Sequence, residues 1–267
     1  MMAKAAASEE TNLPSVPEPG TVPAFLKESV VKDAGKGVST RAEDNLVPLI
    51  YILQAQSPQA QRKDPNYVEG GEAGAIWLRN SGVPAINGDD GILFQPCYFH
   101  VDWVEWIPRS KGGGFVGRHL ERPADAEQKQ DPQNPNKFRW VRPNGNEVVQ
   151  TRYHTGYVIF EDMAIPYVIP MTSSGHTVSR NWMFMMNRKK AFGVKPPSWA
   201  CLYRLRTKPR TNAAGTWMTW DISDAGWVQE QDEYNRGEEL NNSFEAGEKM
   251  VETPVQFEEV DPDSAPM

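Results

Sequence analysis

The chain has 267 residues, 39% of them hydrophobic and 24% charged, with a formal net charge of −7. That is enough apolar material for a core and, at roughly 150 residues per domain, for one large domain or two small ones. A mean hydropathy of −0.60 and the lack of any run near the ~18 apolar residues of a spanning helix exclude a helical membrane protein.

Residues 1–24 are rich in Ala, Pro, Ser and Glu and read as a disordered arm. They hold no apolar run and carry Glu9 and Glu10, so a secretory leader is not expected. A short helix is expected over Phe25–Val31, ended by Gly35 and Gly37. The folded body then begins near Asn45. Leu46–Leu53 is short, apolar and β-branched, a strand whose start Pro48 confines to an edge or bulge. A polar loop over Ser57–Gly74 precedes a strand at Ala75–Leu78, and turns at Asn80–Gly82 and Asn87–Gly91 lead into Ile92–Phe94. Cys97–Ile107 alternates: Tyr98, His100, Asp102, Val104 and Trp106 share one face, and Phe99, Val101, Trp103, Glu105 and Ile107 the other. Residues 121–137 read as an exposed loop.

Phe138–Val141 and Glu147–Tyr153 flank Pro143-Asn144-Gly145 as a hairpin. Thr155–Phe160 and Ala164–Met171 continue the strands. Residues 179–192 predict the central helix, with Ser179 as N-cap. Ala200–Thr207 and Thr216–Ile222 return to strand character around a turn at Asn212–Gly215. Residues 228–252 predict an amphipathic helix with Tyr234, Leu240, Phe244 and Val251 on its apolar side, weakened by Gly237 and Gly247. Residues 253–267 read as an acidic, disordered tail. Many short strands and few helices predict a β-rich (α+β) body over 25–227, an OB-like Greek-key barrel with long insertions, one central helix and one C-terminal helix.

Charge is segregated along this order. Residues 228–267 hold twelve acids against Arg236 and Lys249, net −10, which leaves +3 for the other 227 residues. From Met163 to Trp220 there is no Asp or Glu, but nine Lys or Arg. A polyanion partner accounts for such a run, because carboxylates repel phosphate and cations displace its condensed counterions. Arg180, Arg188, Lys189, Lys190, Arg204, Arg206, Lys208 and Arg210 are the phosphate candidates. Trp182, Trp199, Tyr203 and Trp217 are candidates for stacking on unpaired bases, at ~1–3 kcal/mol per base. Arg109, Lys111 and Arg118 around the glycines form a second strip.

Other chemistries fit less well. Gly112–Gly117 satisfies G-x-G-x-x-G, but a dinucleotide site needs those glycines to open an amphipathic helix, and RHLERPADAEQKQDP follows. The glycines read as a flexible loop that lets backbone N–H groups approach phosphate. Thr172–Arg180, rich in hydroxyls before the central helix, is either a phosphate cradle or an ordinary N-cap turn. Cys97-x-x-His100 lacks a second ligand pair, and on a regular strand the two would face opposite ways, so no metal or other cofactor is expected. Two cysteines make no disulfide framework, which places the chain in a reducing, cytoplasmic compartment. No nucleophile elbow, H-E-x-x-H or carboxylate cluster appears, so a non-catalytic role is expected.

The basic–aromatic stretch Trp182–Trp220 followed by the acidic stretch Glu230–Asp263 resembles bacteriophage single-stranded DNA-binding proteins, which pair an OB-type body with an acidic C-terminal tail. Trp103–His119 (WVEWIPRSKGGGFVGRH) and Ser179–Trp182 (SRNW) are similar to phage replication proteins. The chain departs from that class at its end, Asp263-Ser264-Ala265-Pro266-Met267, where no aromatic closes the tail. The resemblance implies a protein that coats exposed single-stranded DNA during replication or recombination. Its tail would occupy the binding groove in the absence of DNA and recruit replisome or recombination proteins in its presence. A virion structural or assembly protein and a nucleic-acid-processing enzyme are the alternatives. The oligomeric state stays open, a homodimer included.

Overall fold

The computed structural model describes residues 26–33, 44–130, 138–160, 163–212 and 215–254. The expected N-terminal arm, most of the expected acidic tail and part of the 121–137 loop lie outside the described residues. The chain divides into Met1–Thr40 and Arg41–Met267. Within the first, α1 spans Leu26–Lys32, one residue from its expected place.

The larger unit carries β1 (Leu46–Val47), β2 (Ile50–Ile52), β3 (Ile76–Leu78), β4 (Ile92–Ile107), β5 (Gly114–His119), β6 (Glu127–Gln130), β7 (Phe138–Val141), β8 (Glu147–Ile159) and β9 (Ala164–Met171). Then follow α2 (Gly175–Arg188), β10 (Cys201–Asn212), β11 (Gly215–Trp227), α3 (Gln231–Glu245) and β12 (Met250–Val251). β4 and β8 pair antiparallel over almost their whole length and form a spine. At its near end, β10 joins β4 at Tyr203–Leu205 and β9 joins β8, giving the order β11-β10-β4-β8-β9. At its far end, β5 pairs with Trp103–Ile107 of β4 and β7 with Val148 and Glu147 of β8, giving β5-β4-β8-β7-β6.

Several expectations are corrected. The sheet runs openly from β11 to β6 and does not close into a barrel. Ile92–Phe94 and Cys97–Ile107 are one strand, interrupted by a bulge between Pro96 and Tyr98. Gly156 of β8 sits at that bulge, where an added Cβ would come 2.1 Å from the Gln95 carbonyl oxygen; no other residue fits the spine there. The bulge also brings Cys97 and His100 to the same side, against the regular-strand expectation. Leu46–Leu53 splits at Pro48 into β1 and β2, because a residue without an N–H cannot continue a ladder.

Each face of the near end carries its own core. On one side, α2 lays Val178 and Trp182 over Phe94, Val158, Tyr203 and Leu205, with β2 and β3 beside it. On the other, Leu240 and Phe244 of α3 cover Cys97, Tyr153, Tyr157 and Val168. α2 starts at Gly175 rather than Ser179, and Ser179 is a fully buried residue inside the helix. Its hydroxyl is shared with His154 Nε2 at 2.8 Å, a partner that only the tertiary fold supplies.

α3 begins with a reciprocal capping box between Glu230 and Glu233. Gly237 lets it approach: a Cβ there would lie 2.6 Å from that of Trp199 and 2.8 Å from Gln95 Nε2. That same Gln95 nitrogen donates to the carbonyls of Trp199 (2.8 Å) and Glu233 (2.9 Å), tying sheet, loop and helix together. The expected helix over 228–252 ends at Glu245. Gly247 follows at φ 72°, and the chain re-enters the fold as β12, parallel to β1. Val251 is therefore buried as a strand residue, not a helical one.

Candidate nucleic-acid interface

The expected cations fall into three groups rather than one surface. The first is on β10. Cys201, Tyr203, Leu205 and Thr207 point into the core, so alternation turns Arg204, Arg206, Lys208 and Arg210 to the opposite face. These four come from adjacent turns of the pleat, about 6.8 Å apart at two residues each. Cross-strand, they meet Ser223, Asp221, Thr219 and Trp217. Lys208 Nζ pairs with Asp221 at 2.5 Å. Arg204, Arg206 and Arg210 have no carboxylate within ion-pair distance among the described residues. Trp217 is half-buried beside Arg210.

The second group is on α2 and the segment after it. Arg180, Phe184 and Arg188 recur every four residues and so share the outward side; Arg188 lies 5.3 Å from the centroid of Phe184, which is 60% exposed. Lys190 is exposed. Lys189 is not available to phosphate: Nζ donates to Asp224 at 2.5 Å and to the Gly226 carbonyl at 2.9 Å, and it lies 4.6 Å from the Trp227 ring centroid. Lys189 itself turns to extended backbone at ψ 140°, so the helix ends at Arg188, four residues short of the expected end.

Two of the four expected stacking rings, Trp182 and Tyr203, are corrected. Trp182 and Tyr203 are fully buried and pack edge to face at 5.6 Å, so neither offers a face to a base. Trp199 is half-buried and packs edge-on against Tyr234 of α3 at 6.2 Å. The long apolar contact area of these rings was recruited by the two cores.

The third group lies at the far end of the spine. Arg109 and Lys111 occupy the 3₁₀ turn after β4, and Lys111 Nζ donates to the Asn144 carbonyl at 3.3 Å across to the β7–β8 turn. Gly112, Gly113 and Gly114 all adopt positive φ, which this hairpin turn requires. They join strand to strand, so they open no helix. Arg118 points to the α3 side, where Nη2 donates to the Glu252 carbonyl at 2.5 Å and pins the strap formed by β12.

The far end also carries rings that the sequence reading did not select. The β4–β8 register sets Phe99, Val101, Trp103 and Glu105 beside His154, Arg152, Gln150 and Val148 on the face opposite α3. His119, Trp140 and Phe138 share that face through the β5 and β7 pairings, as do Gln128 and Gln130 of β6. Phe99, Trp103 and Trp140 are half-buried and Phe138 is exposed. Arg122 lies over this surface, its guanidinium 3.8 Å from the Trp140 centroid and 5.9 Å from that of Trp103. Arg152 lies 5.8 Å from the Phe99 centroid. A chain of ring contacts reaches inward, from Phe99 tilted against His154 (4.8 Å) to His154 stacked on Trp182 (4.5 Å).

Charge on this face is one-sided. Among the described strand residues that alternation directs to it, Glu105 is the one carboxylate, and it is neutralised. Arg142 Nη1 and His119 Nε2 lie 2.8 and 2.9 Å from Oε2, and Asn146 Nδ2 donates to Oε1 at 2.6 Å. Burial pushes the Glu105 carboxyl up, but the bonds from Asn146, Arg142, His119 and Asn144 outweigh it and hold it at about 2. Arg142 is held in turn by Asp125 at 2.9 Å. His154 titrates at about 3, because burial and then Arg152 and His100 disfavour its cation, so it stays neutral. The surface thus presents half-exposed rings with guanidiniums near them and, among the described strand residues directed to it, no carboxylate but the neutralised Glu105, which fits an anionic ligand with flat groups.

A comparison with protein families matches residues 10–250 to the family described as Pam3 phage gp34-like protein. The chain belongs to that family. No curated protein and no solved structure matches it. Among the described residues no group of three His, Cys, Asp or Glu gathers as metal ligands, and no described helix is long and apolar enough to cross a membrane.

One signal for the missed rings was present in the sequence: the two-residue spacing of Phe99, Val101, Trp103 and Glu105. What the spacing lacked was any indication that α2 stops short of this end. Arg122 gave no signal, since it sits in a loop whose course depends on the β6–β7 pairing.

Proposed function

We propose that this phage-family protein binds single-stranded DNA without sequence preference, and that unpaired bases lie on the ring-bearing face at the far end of the spine. The observation that carries this reading is the ladder of Phe99, Trp103 and Trp140 interleaved with Arg152 and Arg122, on a face whose one strand carboxylate is neutralised. Every base has a flat face, so stacking of this kind is sequence-tolerant, and guanidiniums beside the rings meet the phosphates. Arg180, Arg188 and Lys190 on the α2 side extend the cationic field. The role is non-catalytic and needs no metal or cofactor. It belongs to replication or recombination in the host cytoplasm.

The acidic C-terminal residues compete with DNA for this field and offer a docking point for replication proteins. Removing residues 253–267 therefore tightens binding; unchanged or weaker affinity after truncation counts against that competition.

Tryptophan fluorescence of the full chain, titrated with oligo(dT) at several salt concentrations, tests the reading. Quenching is expected, with log affinity falling against log salt by about 0.7 per phosphate contacted. Failure to retain a single strand at ~0.1 M salt, where exposed charges still act over ~10 Å, returns the chain to the virion-assembly reading.

A further inference from the structure

The β10–β11 hairpin does not fit the surface just described. The core-facing side of β10, Tyr203 and Leu205, shares the α2-side core with Phe94 and Ile92. Its cationic side therefore faces the α3 side of the sheet, opposite the rings. β10 pairs with β4 only as far as Leu205↔Ile92, while its pairing with β11 runs on to Asn212↔Gly215. Lys208–Asn212 are exposed throughout. The outer half is thus a two-stranded ribbon that has left β4, with Thr207, Thr219 and Trp220 still buried and Lys208–Asn212 open to solvent. Its base is anchored: Gln54 exchanges hydrogen bonds with the Met218 backbone at 2.9 and 3.0 Å, and Thr207 Oγ1 donates to the Gly74 carbonyl at 2.7 Å.

We infer that this ribbon is a second nucleic-acid contact that grips the backbone of duplex DNA, so that the protein sits where paired and unpaired strands meet. The inference rests on the single-strand reading for the opposite face. Two features favour a duplex at the ribbon. Beyond β4 its cationic side carries Arg206, Arg210 and Lys208, the last paired with Asp221, and among the described residues one ring, the half-buried Trp217, so it offers charge without a stacking platform. Duplex DNA has no exposed base faces and binds through its phosphates. A two-stranded β-ribbon also has the width to enter a major groove of about 12 Å. From Arg206 to Arg210 these cations extend about 14 Å along the ribbon and so reach several phosphates at one charge per ~1.7 Å of duplex axis. The side with rings and the side without are separated by the sheet, as the two sides of a junction require.

The test is fluorescence anisotropy of the full chain with three labelled probes: oligo(dT), a blunt duplex, and a fork carrying the same single-stranded arm. Arg206→Gln/Arg210→Gln changes exposed ribbon side chains, and Trp103→Ala/Trp140→Ala changes the opposite face. The ribbon variant is expected to lower duplex and fork affinity by about tenfold and to flatten the duplex salt slope by about 2, while oligo(dT) binding stays within twofold. The ring variant is expected to do the reverse for oligo(dT) and duplex. Equal loss of all three probes in the ribbon variant, or no loss in any, overturns the inference. A wild-type chain that binds duplex through the ribbon but ignores oligo(dT) sinks the single-strand reading and leaves the ribbon contact standing.

Discussion

The two ends of the β4–β8 spine are built from the same two strands and put to different uses. At the near end both faces are covered, by α2 on one side and α3 on the other, and Trp182, Tyr203, Phe94 and Tyr157 disappear into the two cores. At the far end α3 and the β12 strap still cover one face, but the other keeps Phe99, Trp103 and Trp140 half-exposed under two guanidiniums. Aromatic residues occur at both ends, so ring content alone does not distinguish the covered end from the open one. What distinguishes them is where a second layer lies: α2 runs from Gly175 to Arg188 and packs Val178 and Trp182 over the near end.

The largest effect should come from the covered end. Trp182→Ala removes a ring at the centre of the stack with His154 and Tyr203 and is expected to cost about 3–5 kcal/mol in urea unfolding; a smaller loss than from Trp103→Ala would erase the distinction between the ends. Next comes Glu105, which supports the open face. Its folded-state carboxyl sits near 2, below the usual carboxylate range, so its stabilisation is present above pH ~4.3 and is lost as pH falls towards 2. The stability difference between wild type and Glu105→Gln, about 2 kcal/mol at neutral pH, should hold in urea melts from pH 6 to about pH 5 and narrow from there to pH 3. A constant difference would mean that the carboxylate charge is not what matters.

At the open end, Trp140→Ala should weaken oligo(dT) binding about tenfold, from the ~1–3 kcal/mol a stacked base contributes, with a small change in melting temperature. A large thermal loss with unchanged affinity would assign Trp140 to the core instead. The smallest expected effect is at the edge of the covered end: Lys189→Met breaks a partly exposed ion pair and should cost under about 1 kcal/mol, shrinking in high salt.

Alternation and charge order were readable directly from the chain. A strand's two faces follow from its period of two, so the division of Cys97–Ile107 into two sets, the hairpin at Pro143–Gly145 and the cationic side of Arg204–Arg210 needed no knowledge of neighbours. The separation of a basic stretch from an acidic end was equally plain. Three things were decided only in the folded molecule: which rings are covered, whether cations distant in sequence share a surface, and whether the sheet closes. Each depends on contacts between residues far apart in the chain, such as Ser179 with His154 or Arg118 with the strap at Glu252. Periodicity assigns a side chain to a face of its own element, but burial is set by whatever packs against that face, and that partner is chosen by the whole fold.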